Sequence, residues 1–134
     1  MAIVLIDYAK IYYQEVLKTE VPSIISGKFV QIRHESTEYL VFSPKEFTKY
    51  HANIVERFCL DNGLEGSYDI KKKRFDMVDR AWSVAGGGKY EMNIGRKTIR
   101  LYDDSLAYGK FDKQNMADKI LTFAEFTGFT VVIE

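Results

Sequence analysis

The sequence is short of the residues that most simply announce chemistry. It holds one cysteine, Cys59, and two histidines, His34 and His51, in 134 residues. A lone cysteine cannot close an internal disulfide, which fits a reducing compartment. Two histidines and one cysteine show no ligand spacing, so a zinc site is rejected and no metal or other cofactor is expected. Cys59 also falls two turns beyond His51 on one helical run, out of reach for a Cys–His nucleophile pair. Charge of one sign is lacking too, since nineteen basic residues balance nineteen acidic ones. No broad electrostatic grip on nucleic acid or on an anionic membrane is expected from such a balance. Long apolar runs are absent: residues 1–6 are apolar, but Asp7 ends the run far short of a membrane span. No basic start or small-residue cleavage site marks a secretory signal. The expectation is a soluble cytoplasmic protein. What the chain does have is 46% hydrophobic content, enough for the core of one domain of this length.

Periodicity sketches the elements. Leu5, Tyr8, Tyr12 and Val16 recur at roughly helical spacing, so residues 3–18 read as a helix, with a strand at 2–6 as the rival. Residues 28–33 and 38–42 are rich in strand formers and are joined by a short connection at 34–37. Ser43-Pro44-Lys45-Glu46 has the form of a capping box with its proline, announcing a helix through Phe47, His51, Val55 and Phe58 to Asn62-Gly63. Residues 68–70 and 75–78 read as strands flanking the basic run Lys71-Lys72-Lys73-Arg74, and 82–85 lead into Gly86-Gly87-Gly88. Residues 90–94 and 98–102 form a β-hairpin around Gly95-Arg96-Lys97. A helix over 113–127 and a strand over 129–133 close the chain. The fold class is α/β: a single domain, with a mixed sheet and helices packed on its faces.

The candidates for chemistry each have a bland counterpart. Imidazole titrates near neutral pH, so His51 is a candidate catalyst, yet a histidine on an apolar helical face is more often a hydrogen-bonded core residue. His34 lies in the hairpin connection and reads as surface. Gly86-Gly87-Gly88-Lys89 permits several N–H groups to point at one anion beside a positive charge, or is simply a flexible turn or bulge. Ser105-Leu106-Ala107-Tyr108-Gly109 offers a hydroxyl and loop N–H groups suited to an anion, a pattern also common in turns. The basic run at 71–74 is most simply a solvated hairpin tip, with docking of an acidic or phosphorylated partner as the other reading.

In their order along the chain, Lys28, Tyr50-His51-Ala52, the glycine run and Ser105-Leu106-Ala107-Tyr108-Gly109 resemble the phosphohistidine phosphatase (Janus/Ocnus) family. The resemblance spans the chain from about residue 21 to its end and makes residues 1–19 an N-terminal extension. It implies a phosphatase that hydrolyses phosphohistidine, or phospholysine, in a phosphorylated protein or peptide. His51 would be its general base or nucleophile and Lys28 would steer phosphate. The N–H groups of His51, Ala52 and Ala107 and the Ser105 hydroxyl would hold the oxygens, with Gly86, Gly87 and Gly88 as a wall. Such a site would work without a metal. The resemblance also needs the helix to break near Tyr50, because N–H groups inside a continuous helix are already bonded. Two departures stand out: residues 64–85 are longer than in compact members, and Ser43 stands where a family arginine is expected. A non-catalytic module that binds a phosphorylated partner, or a regulatory protein using the fold for contacts alone, are the alternatives.

Overall fold

The computed structural model describes residues 1–134, and its frame is a mixed six-stranded sheet. The strands are β1 (Ala2–Asp7), β2 (Ile24–His34), β3 (Thr37–Pro44), β6 (Trp82–Asn93), β7 (Thr98–Tyr102) and β8 (Thr130–Ile133). They lie in the order β1-β3-β2-β6-β7-β8. The outer pairs, β1 with β3 and β7 with β8, are parallel. The inner pairs are antiparallel. Between β3 and β6 the chain inserts α1 (His51–Asp61) and a separate hairpin of β4 (Gly66–Tyr68) and β5 (Phe75–Met77). A short helix, α2 (Met116–Leu121), follows β7. No helix is long and apolar enough to cross a membrane.

The two faces of the sheet explain why β2 shows so little polar–apolar alternation: both are covered, so both need apolar side chains. On one face Val30, Ile32 and Val41 pack against Ala52, Ile54, Val55 and Phe58 of α1. On the other, Phe29, Leu40, Phe42, Tyr90 and Leu101 pack against Met116 and Ile120 of α2 and against Phe123 and Phe126. The β2–β6 ladder slips once: Gln31 pairs with Gly86 but Ile32 pairs with Val84, so Ala85 is the extra residue of a bulge. Beyond that slip, odd and even residues of β6 exchange faces, which sets the aim of the glycine run.

Three segments depart from the periodicity reading. Residues 2–7 are strand, with Leu5 opposite Leu40 and Ile6 opposite Val41; the chain coils only from Ala9, with Ile11–Val16 as a π-helical turn. The helical spacing of Leu5, Tyr8 and Tyr12 is overridden because the edge of β3 offers a full ladder of backbone partners to Ile3-Val4-Leu5-Ile6. The apparent capping box at Ser43 is not one. β3 runs on to Pro44, a turn follows, and the Ser43 hydroxyl takes a 2.6 Å hydrogen bond from Thr48 Oγ1 rather than from a helix N–H. The helix instead starts at His51, as the break near Tyr50 requires, with Tyr50 extended at φ −126°, ψ 155°. Finally, the closing helix is divided: α2 ends at Leu121 and a 3₁₀ turn covers Ala124–Phe126.

Candidate functional site

The first turn of α1 is closed off from behind and open in front. The Tyr50 N–H donates to Asn53 Oδ1 (3.1 Å) and the Asn53 N–H to the Tyr50 carbonyl (3.0 Å). No backbone or side-chain acceptor in the protein takes the N–H groups of His51 and Ala52. Two free donors at the positive end of an 11-residue helix form an anion-seeking arrangement.

His51 itself is buried, only 7% exposed. Its Nε2 lies 2.9 Å from the Gly88 carbonyl. A carbonyl only accepts, so Nε2 carries the hydrogen of the neutral ring and Nδ1 keeps the lone pair. Burial pushes the imidazole below its usual pKa of 6.5, and the positive charges of Lys28 and Lys89 push the same way; the Gly88 bond and Asp103 oppose them. The net shift is downward, so the ring is neutral at pH 7 and its lone pair is available.

The glycines make room for this geometry, each differently. A methyl group at Gly87 would sit 2.9 Å from His51 Cδ2, 2.8 Å from the Phe29 carbonyl oxygen and 3.3 Å from Ser105 Cβ. His51 and Ser105 therefore close on the same bare stretch of β6. Gly88 supplies the carbonyl that orients His51, while the place of its missing side chain is taken by the Tyr102 carbonyl and the Phe111 ring. Gly86, at φ +155°, admits the Lys110 backbone and does not face His51.

Ser105 is 2% exposed, and its Oγ accepts the Tyr108 N–H at 3.1 Å, which leaves its own hydrogen free to donate. The loop is tied shut by Ser105 and Gly109 exchanging backbone bonds of 3.1 and 2.7 Å, and Gly109 also accepts from Gly87 at 3.2 Å. Within it, the Ala107 N–H has no acceptor in the protein. Lys28 reaches over the start of α1, its Nζ 2.7 Å from the Lys49 carbonyl and 5.5 Å from the centre of the Tyr50 ring. It has no carboxylate within ion-pair distance. Burial lowers its pKa, and its direct cross-strand neighbour Lys89 lowers it further. Lys89 is paired to Asp103 at 3.1 Å. Two like charges directly opposite one another are unfavourable unless an anion lies between them.

His51 and Ser105 thus meet over Gly87, with Lys28 beside the start of α1 and acceptor-free N–H groups at His51, Ala52 and Ala107 on the two elements that carry them. Such a constellation can hold three anionic oxygens and present a basic nitrogen to the atom they surround. Ser43 takes no part: it is buried and bonded to Thr48. Cys59 is buried with its thiol pushed up to about 11, which makes it inert. His34 is no bare surface residue, since it stacks on Trp82 with ring centres 4.1 Å apart. No group of three His, Cys, Asp or Glu side chains is placed to hold a metal.

Sequence reasoning noticed Lys89 only as charge beside the glycines. Its role as the partner of Lys28 depends on strand register, which no local signal carries. The hairpin of β4 and β5 was also unplaced. It is strapped to the site from two sides: Asn53 Nδ2 donates to the Tyr68 hydroxyl (3.1 Å), and Arg74 donates to the Ala107 carbonyl (3.0 Å). The model of the Janus/Ocnus family (Ocnus) matches residues 20–130 of the chain. No curated protein matches it.

Proposed function

The chain belongs to the Janus/Ocnus family, and on that premise we propose that it is a phosphatase hydrolysing the P–N bond of phosphohistidine in proteins. The observation that carries this reading is the hydrogen bond from His51 Nε2 to the Gly88 carbonyl. It fixes which nitrogen is basic, while burial keeps the ring neutral beside free N–H groups. In the reaction, the phosphoryl oxygens rest on the N–H groups of His51, Ala52 and Ala107, the Ser105 hydroxyl and the Lys28 ammonium. His51 Nδ1 takes a proton from water as that water attacks phosphorus, or attacks phosphorus itself and is freed by water in a second step. In either case the P–N bond breaks with its electron pair going to the departing nitrogen, and the substrate imidazole, protonated beforehand on its other nitrogen, leaves as a neutral ring. Phosphoryl transfer depends mainly on positioning and charge stabilisation, and preorganised N–H groups and a lysine offer both.

The arrangement suits a phosphoramidate, whose nitrogen accepts a proton readily. It is poorly equipped for a phosphoserine, because alkyl monoesters are among the slowest of all reactions to hydrolyse uncatalysed. Turnover of a phosphohistidine peptide by the purified protein should survive exhaustive chelation and far exceed turnover of a phosphoserine peptide. An equal rate on phosphoserine, or activity lost to chelator and restored by magnesium, would overturn the reading. Ser43 favours a rival, a non-catalytic phosphate-binding module of the same fold, because the buried Ser43–Thr48 pair stands where a substrate-gripping arginine was expected. Absent turnover with retained phosphopeptide binding would select that rival.

A further inference from the structure

The hairpin of β4 and β5 ends in a tip of unusual composition. Ile70 is fully exposed, and Lys71, Lys72 and Lys73 follow it, all exposed and without an ion pair. The next residue, Arg74, is the first whose side chain the fold uses. It pairs with Asp76 at 2.6 Å, donates to the Ala107 carbonyl and lies 5.1 Å from the Tyr108 ring centre. Tyr108 answers from the loop: its hydroxyl accepts the Phe75 N–H at 2.9 Å and donates to the Phe75 carbonyl at 2.7 Å. On the other flank, the Tyr68 hydroxyl donates to Glu56 Oε1 (2.8 Å) and accepts from Asn53, two residues along from His51. The hairpin is therefore held by both elements that carry the site. Leu106, in the same loop as Ser105 and Ala107, is fully exposed beside it.

A chain with no net charge has gathered three unpaired lysines on one arm that the site's own loop and helix grip. An arm that merely filled space would have no need of fixed attachment to those two elements. We propose that this hairpin is a docking arm for the polypeptide that carries the phosphorylated residue, and that it selects substrates with acidic residues flanking that residue. The inference rests on the reading of the site as one that takes a phosphorylated side chain, and it names the substrate class: an acidic protein segment rather than a free phosphoamino acid. Three or four charges on one tip are few for nucleic acid, whose non-specific grip commonly uses six to ten phosphate contacts. A membrane seated on the tip would engage only the tip, whereas a polypeptide can reach arm and site together.

Binding tests this apart from turnover. Two fluorescein-labelled peptides would carry a non-hydrolysable phosphohistidine analogue, one flanked by glutamates and the other by glutamines. Each would be titrated against the wild-type protein and against the K71S/K72S/K73S variant, which removes no bonded side chain. The wild type should bind the glutamate peptide about tenfold more tightly at low salt, the combined worth of a few exposed ion pairs, and the preference should fade as salt rises. The triple variant should lose that preference while binding the glutamine peptide unchanged. Equal binding of the two peptides by the wild type, or an equal loss on both in the variant, would overturn the proposal. So would tighter lysine-dependent binding to single-stranded RNA or to phosphatidylserine vesicles than to the glutamate peptide. If the glutamate preference holds but no phosphohistidine peptide is turned over, the catalytic reading fails and the docking arm stands.

Discussion

At the scale of single residues, the site turns on His51 and on the absence of a side chain opposite it. His51→Ala should leave the fold intact and lower turnover by about 10³-fold, within the range of a positioned base or more if Nδ1 is the nucleophile. Gly87→Ala is the subtler test. Its methyl would crowd His51 Cδ2 at 2.9 Å, and because backbone lies on another side, the imidazole is what must give. Displacement on the order of 1 Å should cost about a hundredfold in kcat with a smaller effect on stability, read by steady-state kinetics beside thermal melts. The pH profile follows from the lowered pKa of His51. A base must be unprotonated, so the acid limb of kcat/KM should fall below pH 6.5, the usual histidine value, and a limb above it would contradict a buried neutral ring. His51 was legible because histidine is rare in this chain and sits in a distinctive segment. The Ala107 N–H joined it only through the family resemblance, and Lys89 was not legible as the partner of Lys28, because those two meet only through the β2–β6 register.

Among the elements, the hairpins and the central strands could be read from turn residues and strand formers, whereas the starts of helices could not. Ser43-Pro44 has every local mark of a helix start, yet the ladder with β2 carries the strand through it, Lys28 opposite Ser43 and Gly27 opposite Pro44. At Gly27 even a methyl would meet the Ser43 carbonyl oxygen, so the close approach of the two strands there depends on that glycine. α1 begins at a tyrosine, an unusual cap, and the work is done by Asn53 reaching back to the Tyr50 N–H. Asn53→Ala should therefore cost about 1 kcal/mol, the typical worth of a helix cap, and should also remove one of the two bonds that hold the Tyr68 hydroxyl to α1. Tyr108→Phe is the matching change on the other side of the arm. It strands the Phe75 N–H and carbonyl and should cost about 2 kcal/mol by urea denaturation. A loss below a few tenths would mean that the hairpin is not fixed to the loop as described.

For the molecule as a whole, acid should act in two stages. The folded His51 holds its proton less tightly than an unfolded histidine, so below about pH 6.5 the unfolded chain carries more protons and stability declines until the folded ring is also protonated. Glu38 gives a second decline below about pH 4.5. It is fully buried, which alone would raise its pKa, but Arg33 at 2.8 Å and Lys119 at 2.9 Å outweigh that and hold it below the usual value. Glu38→Gln should cost about 3 kcal/mol at neutral pH by leaving half-buried Lys119 without a carboxylate and Arg33 with Asp112 alone, and should erase the second decline while sparing the first. The sheet's outer strands add a kinetic consequence. β1 and β8 come from opposite ends of the chain, each hydrogen-bonded on one side only and each paired in parallel with a strand far away in sequence. Closing such distant pairs loses more chain entropy than closing the β2–β3 or β6–β7 hairpins, so the two ends should be the last to zip up. The same strands should be the first to open: amides of Ala2–Asp7 and Thr130–Ile133 should exchange with deuterated solvent orders of magnitude faster than those of β2, while the cradle around Gly87 stays shut.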